Sequence, residues 1–199
     1  MTLVDERMAP GETTQARRAM IDSQLRVSGV NDPAILNAFA AVRREDFVPA
    51  DRRAVAYMDR AVPLGDGNVL APALTHGQML TAAEPVVTDT VLVISGNGYL
   101  AALVRELSGA APALAAPGAA PATSGPFSLV LIDGAIETVP EQLAALLADN
   151  GRVVTGMVER GVTRLEIGRK AAGTLRFSAL GEADFAVLDA FAAKKSWSF

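Results

Sequence analysis

Val91-Leu92-Val93-Ile94-Ser95-Gly96-Asn97-Gly98-Tyr99 is the stretch whose reading decides the fold. Four consecutive apolar residues read as a strand buried on both faces. Ser95 to Gly98 reads as a tight glycine loop, and Tyr99 as the first residue of a helix that Gly109 ends. Strand, glycine loop and helix in that order open a nucleotide-type α/β domain, in which loop amides and a helix N-terminus face a ligand. The segment after this helix is less usual. From residue 109 to residue 126 alanine, proline and glycine dominate, with no acid and no strand-length β-branched run.

Outward from this stretch, strands and helices alternate. Residues 129–132 form a second apolar run ending in Asp133-Gly134, residues 140–147 a helix with proline at its start, and residues 152–157 a third strand after the Asp149-Asn150-Gly151 turn. Residues 163–169 and 175–180 read as two further strands around Ala171-Ala172-Gly173. The pattern predicts a mostly parallel sheet with helices on both faces and an antiparallel tail. Towards the N-terminus, residues 15–27 carry one helical apolar stripe with Gly29 as stop. Asp32 and Pro33 start a second helix, as N-cap and first helical residue. Residues 60–75 read as loop with brief strand pairing, and a short helix runs from about residue 75 to residue 83. The domain organisation expected is a helical cap and substrate-loop region over residues 1–85 and a shortened Rossmann-like domain over 86–199, with 109–126 as linker.

Composition bounds the function. The chain has 199 residues, half of them hydrophobic, and a net charge of −4. Without a basic stripe, nucleic-acid binding is not expected. The absence of cysteine removes disulfides, thiolate catalysis and cysteine metal sites, and a single histidine, His76, removes histidine clusters. No metal is expected. Neither a signal peptide nor a run of membrane-spanning length is visible, so the expectation is a cytoplasmic protein without membrane contact.

Three further segments carry a resemblance. Val42-Arg43-Arg44-Glu45-Asp46-Phe47-Val48-Pro49, Ala56-Tyr57-Met58-Asp59-Arg60 and Pro63-Leu64-Gly65-Asp66-Gly67, followed by the glycine loop, residues 127–140 and Gly151-Arg152-Val153-Val154, resemble the protein-L-isoaspartate O-methyltransferases in the right order. Residues 132–135 and 191–199 look like a divergent, shortened branch. The resemblance implies an α/β, truncated Rossmann-like fold that binds S-adenosylmethionine and methylates isoaspartyl carboxylates of damaged proteins. It also implies Ser95, Gly96, Asn97 and Gly98 at the cofactor, and Asp59, Pro63, Gly65 and Gly67 at a protein or peptide substrate.

The chain departs from the family pattern in three places. Val93 stands where the family's Glu-x-Gly-x-Gly-x-Gly loop has its acid, Ser95 replaces the first glycine, and the loop is one residue short. The strand whose terminal acid binds the ribose has no sequence to form it. The serine of the family's Ile-Ser-x-Pro segment is read at Ala71, which has no hydroxyl, with Thr75 as a nearby substitute. The resemblance therefore leaves two readings. One is a methyltransferase-like protein with impaired or lost activity; the other is a non-catalytic relative that binds a protein or peptide. Each candidate residue also has a plainer reading. The glycine loop serves equally as a strand-to-helix turn, and Asp133, the weak catalytic candidate, as a turn residue. Asp59 with Arg60 can be a surface ion pair, and Trp197 a docking anchor. His76 has no acid placed for it by sequence. Finally, without outer strands Val91–Ile94 is expected to be a sheet edge, available for a homodimer or for cover by residues 110–125.

Overall fold

The computed structural model describes residues 10–65 and 67–193. The N-terminal part begins with α1 (Pro10–Met20), continued by a π-turn over Ile21–Leu25 and a 3-10 turn over Arg26–Ser28, and stops at Gly29 in the left-handed conformation, φ +90°. Helix α2 (Pro33–Ala41) starts as its sequence predicts: the Asp32 carboxylate accepts from the Ala34 and Ile35 amides at 2.7 and 3.2 Å. Two 3-10 turns come next, over Arg44–Phe47 and Ala50–Val55. A short hairpin, β1 (Val62–Pro63) with β2 (Val69–Leu70), leads into α3 (Ala73–Ala83), which begins immediately after Pro72, before the threonine that the sequence suggested.

The main sheet has six strands in the order β4-β3-β5-β6-β7-β8. Its members are β3 (Val91–Ile94), β4 (Ala113–Ala115), β5 (Phe127–Ile136), β6 (Leu147–Glu159), β7 (Val162–Ala171) and β8 (Thr174–Glu182). Helix α4 (Tyr99–Ser108) joins β3 to β4 and ends at Gly109, φ +70°. The first four strands are parallel and the last two antiparallel, a truncated Rossmann-like sheet with an antiparallel extension. Two-residue turns at Arg160-Gly161 and Ala172-Gly173, all at positive φ, close the two hairpins.

Two sequence expectations are corrected here. Val91–Ile94 is not left as an edge: of the two outcomes expected, cover by residues 110–125 is the one found. The alanine-rich linker supplies β4, whose Ala113, Leu114 and Ala115 pair in parallel with Leu92, Val93 and Ile94. Three linker residues without proline suffice for this register, and the premise for a homodimer through that edge falls away. The second correction concerns the layers. One face of the sheet is packed by the N-terminal helices and α4, with Leu25, Phe39, Met79, Leu80, Tyr99 and Leu103 all fully buried. Among the described residues, the opposite face, built on Leu92, Val130 and Ile132, is covered by the one-turn helix α5 (Leu143–Leu146) and by the segment that ends in Phe191. Leu147 is already in β6, which shortens the helix expected over 140–147.

Candidate functional site

Parallel pairing of β3 with β5 sets Ile94 beside Ile132, so the next residues, Ser95 just past the end of β3 and Asp133 within β5, which runs on to Ile136, stand side by side at the carboxyl end of β3. This is where open α/β sheets place their ligands. The Ser95 hydroxyl donates to Asp133 Oδ2 at 2.7 Å, and His76 Nε2, from α3, meets Asp133 Oδ1 at 2.8 Å. Both side chains of the His76–Asp133 pair are buried, 0% and 1% exposed. Burial alone raises the Asp133 carboxyl. The charge and hydrogen bond of His76, the Ser95 hydroxyl and the more distant Arg44 outweigh it and hold the group below the ordinary carboxylate value.

The network continues into the N-terminal cap. Arg44 is fully buried and donates from Nε to the Ala56 carbonyl at 2.6 Å and from Nη2 to the Ala71 carbonyl at 2.5 Å. Its guanidinium lies 5.0 Å from the centroid of the Tyr99 ring, which in turn packs 5.4 Å from the His76 ring. Burial pushes the Tyr99 hydroxyl up to about 12, although Arg44 opposes this. Arg44 thereby ties the cap to the strand-helix turn below it. Nearby, the Tyr57 hydroxyl donates to the buried Glu45.

The glycine loop satisfies much of its own backbone. The Ser95 hydroxyl accepts from the Asn97 amide at 3.1 Å, and the Asn97 carboxamide oxygen accepts from the Tyr99 amide at 3.0 Å. Gly96 lies close under Asn68: a Cβ there would lie 2.0 Å from Asn68 Oδ1, so any side chain at this position must displace the Asn68 carboxamide. Two concave spaces flank the loop. One, of about 320 Å³, lies between it and the end of β4 at Leu114, Ala115 and Ala116. The other, of about 290 Å³, opens between the β1–β2 hairpin and residues 184–190 and reaches Asp133. Asp184 and Asp189 stand on its wall, and no Lys, Arg or His lines it among the described residues.

The expected site residues are only partly brought together. Ser95, Gly96, Asn97 and Gly98 form one loop, and Gly67 and Ala71 line the cleft next to Gly96. Asp59, Pro63 and Gly65 are exposed and do not line it. Thr75 is buried, with its hydroxyl donating to the Asp184 carbonyl at 3.0 Å. Counted back from Pro72, the Ile-Ser-x-Pro spacing puts the serine at Leu70 and not at Ala71; both are buried and neither carries a hydroxyl. No acid stands at the end of β4, where Ala115 is followed by Ala116 and Pro117. Trp197, Phe199 and Asp66 lie outside the described residues. Reading along the chain passed over the partnership of His76 with Asp133, because 57 positions separate them. The half with Ser95 was accessible: two buried runs aligned in parallel, each ending in a polar residue, put Ser95 next to Asp133.

Comparison with known proteins gives a consistent result. The family model described as protein-L-isoaspartate(D-aspartate) O-methyltransferase matches residues 15–114. A protein-L-isoaspartate O-methyltransferase of Roseiflexus castenholzii is 33% identical over 202 residues, covering 88% of this chain and 92% of the relative. That of Koribacter versatilis is 31% identical, with 86% and 90% covered. Among solved structures, a Plasmodium falciparum protein described as a protein-L-isoaspartate O-methyltransferase, in complex with S-adenosyl-L-homocysteine, superimposes with a TM-score of 0.69 at 16% identity. The match covers 89% of this chain and 98% of that one, and it bears on the fold.

Proposed function

Because the chain belongs to the protein-L-isoaspartate O-methyltransferase family, we propose that it keeps the family's cleft for a protein or peptide segment but transfers methyl groups poorly or not at all. The observation that carries this reading is the state of Asp133. Both its oxygens are engaged within the protein, by His76 and Ser95, so the carboxylate at the carboxyl edge braces the fold and is not held ready for a ligand.

The family's methyl donor, S-adenosylmethionine, fits the residues badly. A ribose lacks its acidic partner at Ala115, Ala116 and Pro117. Losing two hydrogen bonds to a charged acceptor costs roughly 3–6 kcal/mol, enough to weaken a micromolar ligand about 10²- to 10⁴-fold. The loop offers little in exchange. With the Asn97 and Tyr99 amides capped by Ser95 and Asn97, the glycine amides of Gly96 and Gly98 are what Ser95-Gly96-Asn97-Gly98 has left for a ligand. On the substrate side, an isoaspartyl carboxylate approaching Gly67 and Ala71 meets Asp184 and Asp189, with no cationic side chain on the wall among the described residues. Charge alone favours a neutral or basic peptide there.

Calorimetric titration with S-adenosylmethionine and with S-adenosylhomocysteine tests the proposal. The expected dissociation constant is on the order of millimolar, and binding at about 10 μM or tighter would overturn it. Active methyl transfer is the second reading. The groove of about 320 Å³ between the loop and β4 speaks for it, and tight cofactor binding would select it. Among the described residues no helix is long and apolar enough to cross a membrane.

A further inference from the structure

The chain contains two Asn-Gly pairs, Asn97-Gly98 and Asn150-Gly151. In such a pair the glycine has no Cβ to shield its backbone nitrogen from the carboxamide carbon of the preceding asparagine. The fold treats the two pairs in opposite ways. Asn97 is half-buried, its Oδ1 accepting from the Tyr99 amide at 3.0 Å and its Nδ2 donating to the Val69 carbonyl at 3.4 Å. Asn150 is exposed at φ +62°, and its carboxamide makes no hydrogen bond among the described residues. It sits where β6 departs from β5, in the register shift between Phe127 and Leu129. The glycine after it cannot readily be exchanged. A Cβ on Gly151 would lie 2.8 Å from the Ala148 carbonyl oxygen and 3.0 Å from that of Phe127. The bulge therefore keeps an unprotected asparagine next to an obligatory glycine.

We propose that Asn150 is a site of spontaneous deamidation that yields isoaspartate in the folded protein, while Asn97 is protected. The Gly151 nitrogen attacks Asn150 Cγ; the N–Cγ bond forms, the Cγ–Nδ2 bond breaks, and ammonia leaves with the glycine amide proton. Water then opens the cyclic imide. Cleavage at the former Asn150 backbone carbonyl leaves isoaspartate, with the chain routed through Cγ; cleavage at Cγ leaves aspartate. The isoaspartyl form adds a methylene to the backbone and a negative charge beside Asp149. It is also the kind of residue that the family's name specifies. The inference rests on the surroundings of the two asparagines and stands whether or not the proposed loss of methyl transfer is correct.

The test is peptide mapping by mass spectrometry after incubation of the folded protein at mildly alkaline pH and body temperature, with a parallel incubation in concentrated urea. A one-mass-unit gain is expected in the peptide containing Asn150, with the isoaspartyl isomer resolved by chromatography. In the folded protein it should accumulate about tenfold faster than at Asn97, which reacts only after local opening. In urea the two pairs should react at similar rates. Asn150→Gly, which tolerates the positive φ, should abolish the gain in that peptide and so identify the residue. The proposal is overturned if Asn150 stays intact in the folded protein while it reacts in urea, or if Asn97 and Asn150 react equally fast when folded.

Discussion

Replacing Asp133 by alanine tests whether the buried carboxylate braces the fold. The change removes the acceptor for His76 Nε2 at 2.8 Å and for the Ser95 hydroxyl at 2.7 Å. His76 is then stranded, since its Nδ1 is already buried without a partner among the described residues. Hydrogen bonds to charged groups contribute about 1.5–3 kcal/mol each, and breaking a buried pair by deleting one member costs roughly 3–5 kcal/mol. The second figure governs here, because both partners are shut off from water. For a chain of this size that corresponds to a fall in Tm of roughly 6–20 °C. Urea unfolding followed by circular dichroism gives the free energy directly. A double-mutant cycle with His76→Ala should return a coupling of about 1–3 kcal/mol. Acid supplies an independent arm. The folded carboxyl lies below its unfolded value, so its contribution is complete above about pH 4 and disappears as the pH falls through the lower folded value. The stability gap between wild type and Asp133→Asn should narrow in the same range. An Asp133→Ala variant within about 0.5 kcal/mol of wild type, or one whose cost simply adds to that of His76→Ala, would refute the reasoning.

Two other outcomes are expected. Leu92→Lys puts a charge on a fully buried interior strand between β4 and β5. It should lower stability by at least about 3 kcal/mol in urea unfolding, whereas unchanged stability would mean that the sheet face around Leu92, Val130 and Phe191 is open to water in solution. Restoring a hydroxyl at the family's serine position with Leu70→Ser should leave methyl transfer to isoaspartyl peptides at background in a radiolabel assay, because the ribose acid and loop amides remain deficient; clear activity would show that the glycine loop is competent as it stands.

Local chemistry made much of the fold legible. Asp32 and Pro33 start α2 because a cap and a fixed φ act within one turn, and Gly29 and Gly109 end their helices because each must adopt a positive φ. The Ala172-Gly173 hairpin followed from the same logic. Strand β4 was not legible, since Ala113, Leu114 and Ala115 have little strand preference of their own and take their conformation from β3. The π-turn over Ile21–Leu25 inserts into an otherwise regular apolar stripe and leaves no mark in its period. In the site, Ser95 and Asp133 could be seen as strand ends, but their bond to each other depends on register and that of Asp133 to His76 on how α3 packs. Thr75 looked available for the missing serine's role because nothing in the sequence shows that its hydroxyl is taken by the Asp184 carbonyl.

The split of the sheet into a parallel and an antiparallel half sets an order of assembly. Strands β6, β7 and β8 are joined by two-residue turns, so their pairing closes short loops and can proceed locally. Strand β3 must instead find β5 across α4 and the whole alanine-rich linker, a much larger closure entropy. During synthesis the N-terminal helices and β3 leave the ribosome first, yet the surface they pack against is completed only when the meander has been made. The apolar faces of α2, α3 and β3 are therefore exposed longest in the nascent chain. A chain released before β6 is complete would present those faces to its neighbours and aggregate.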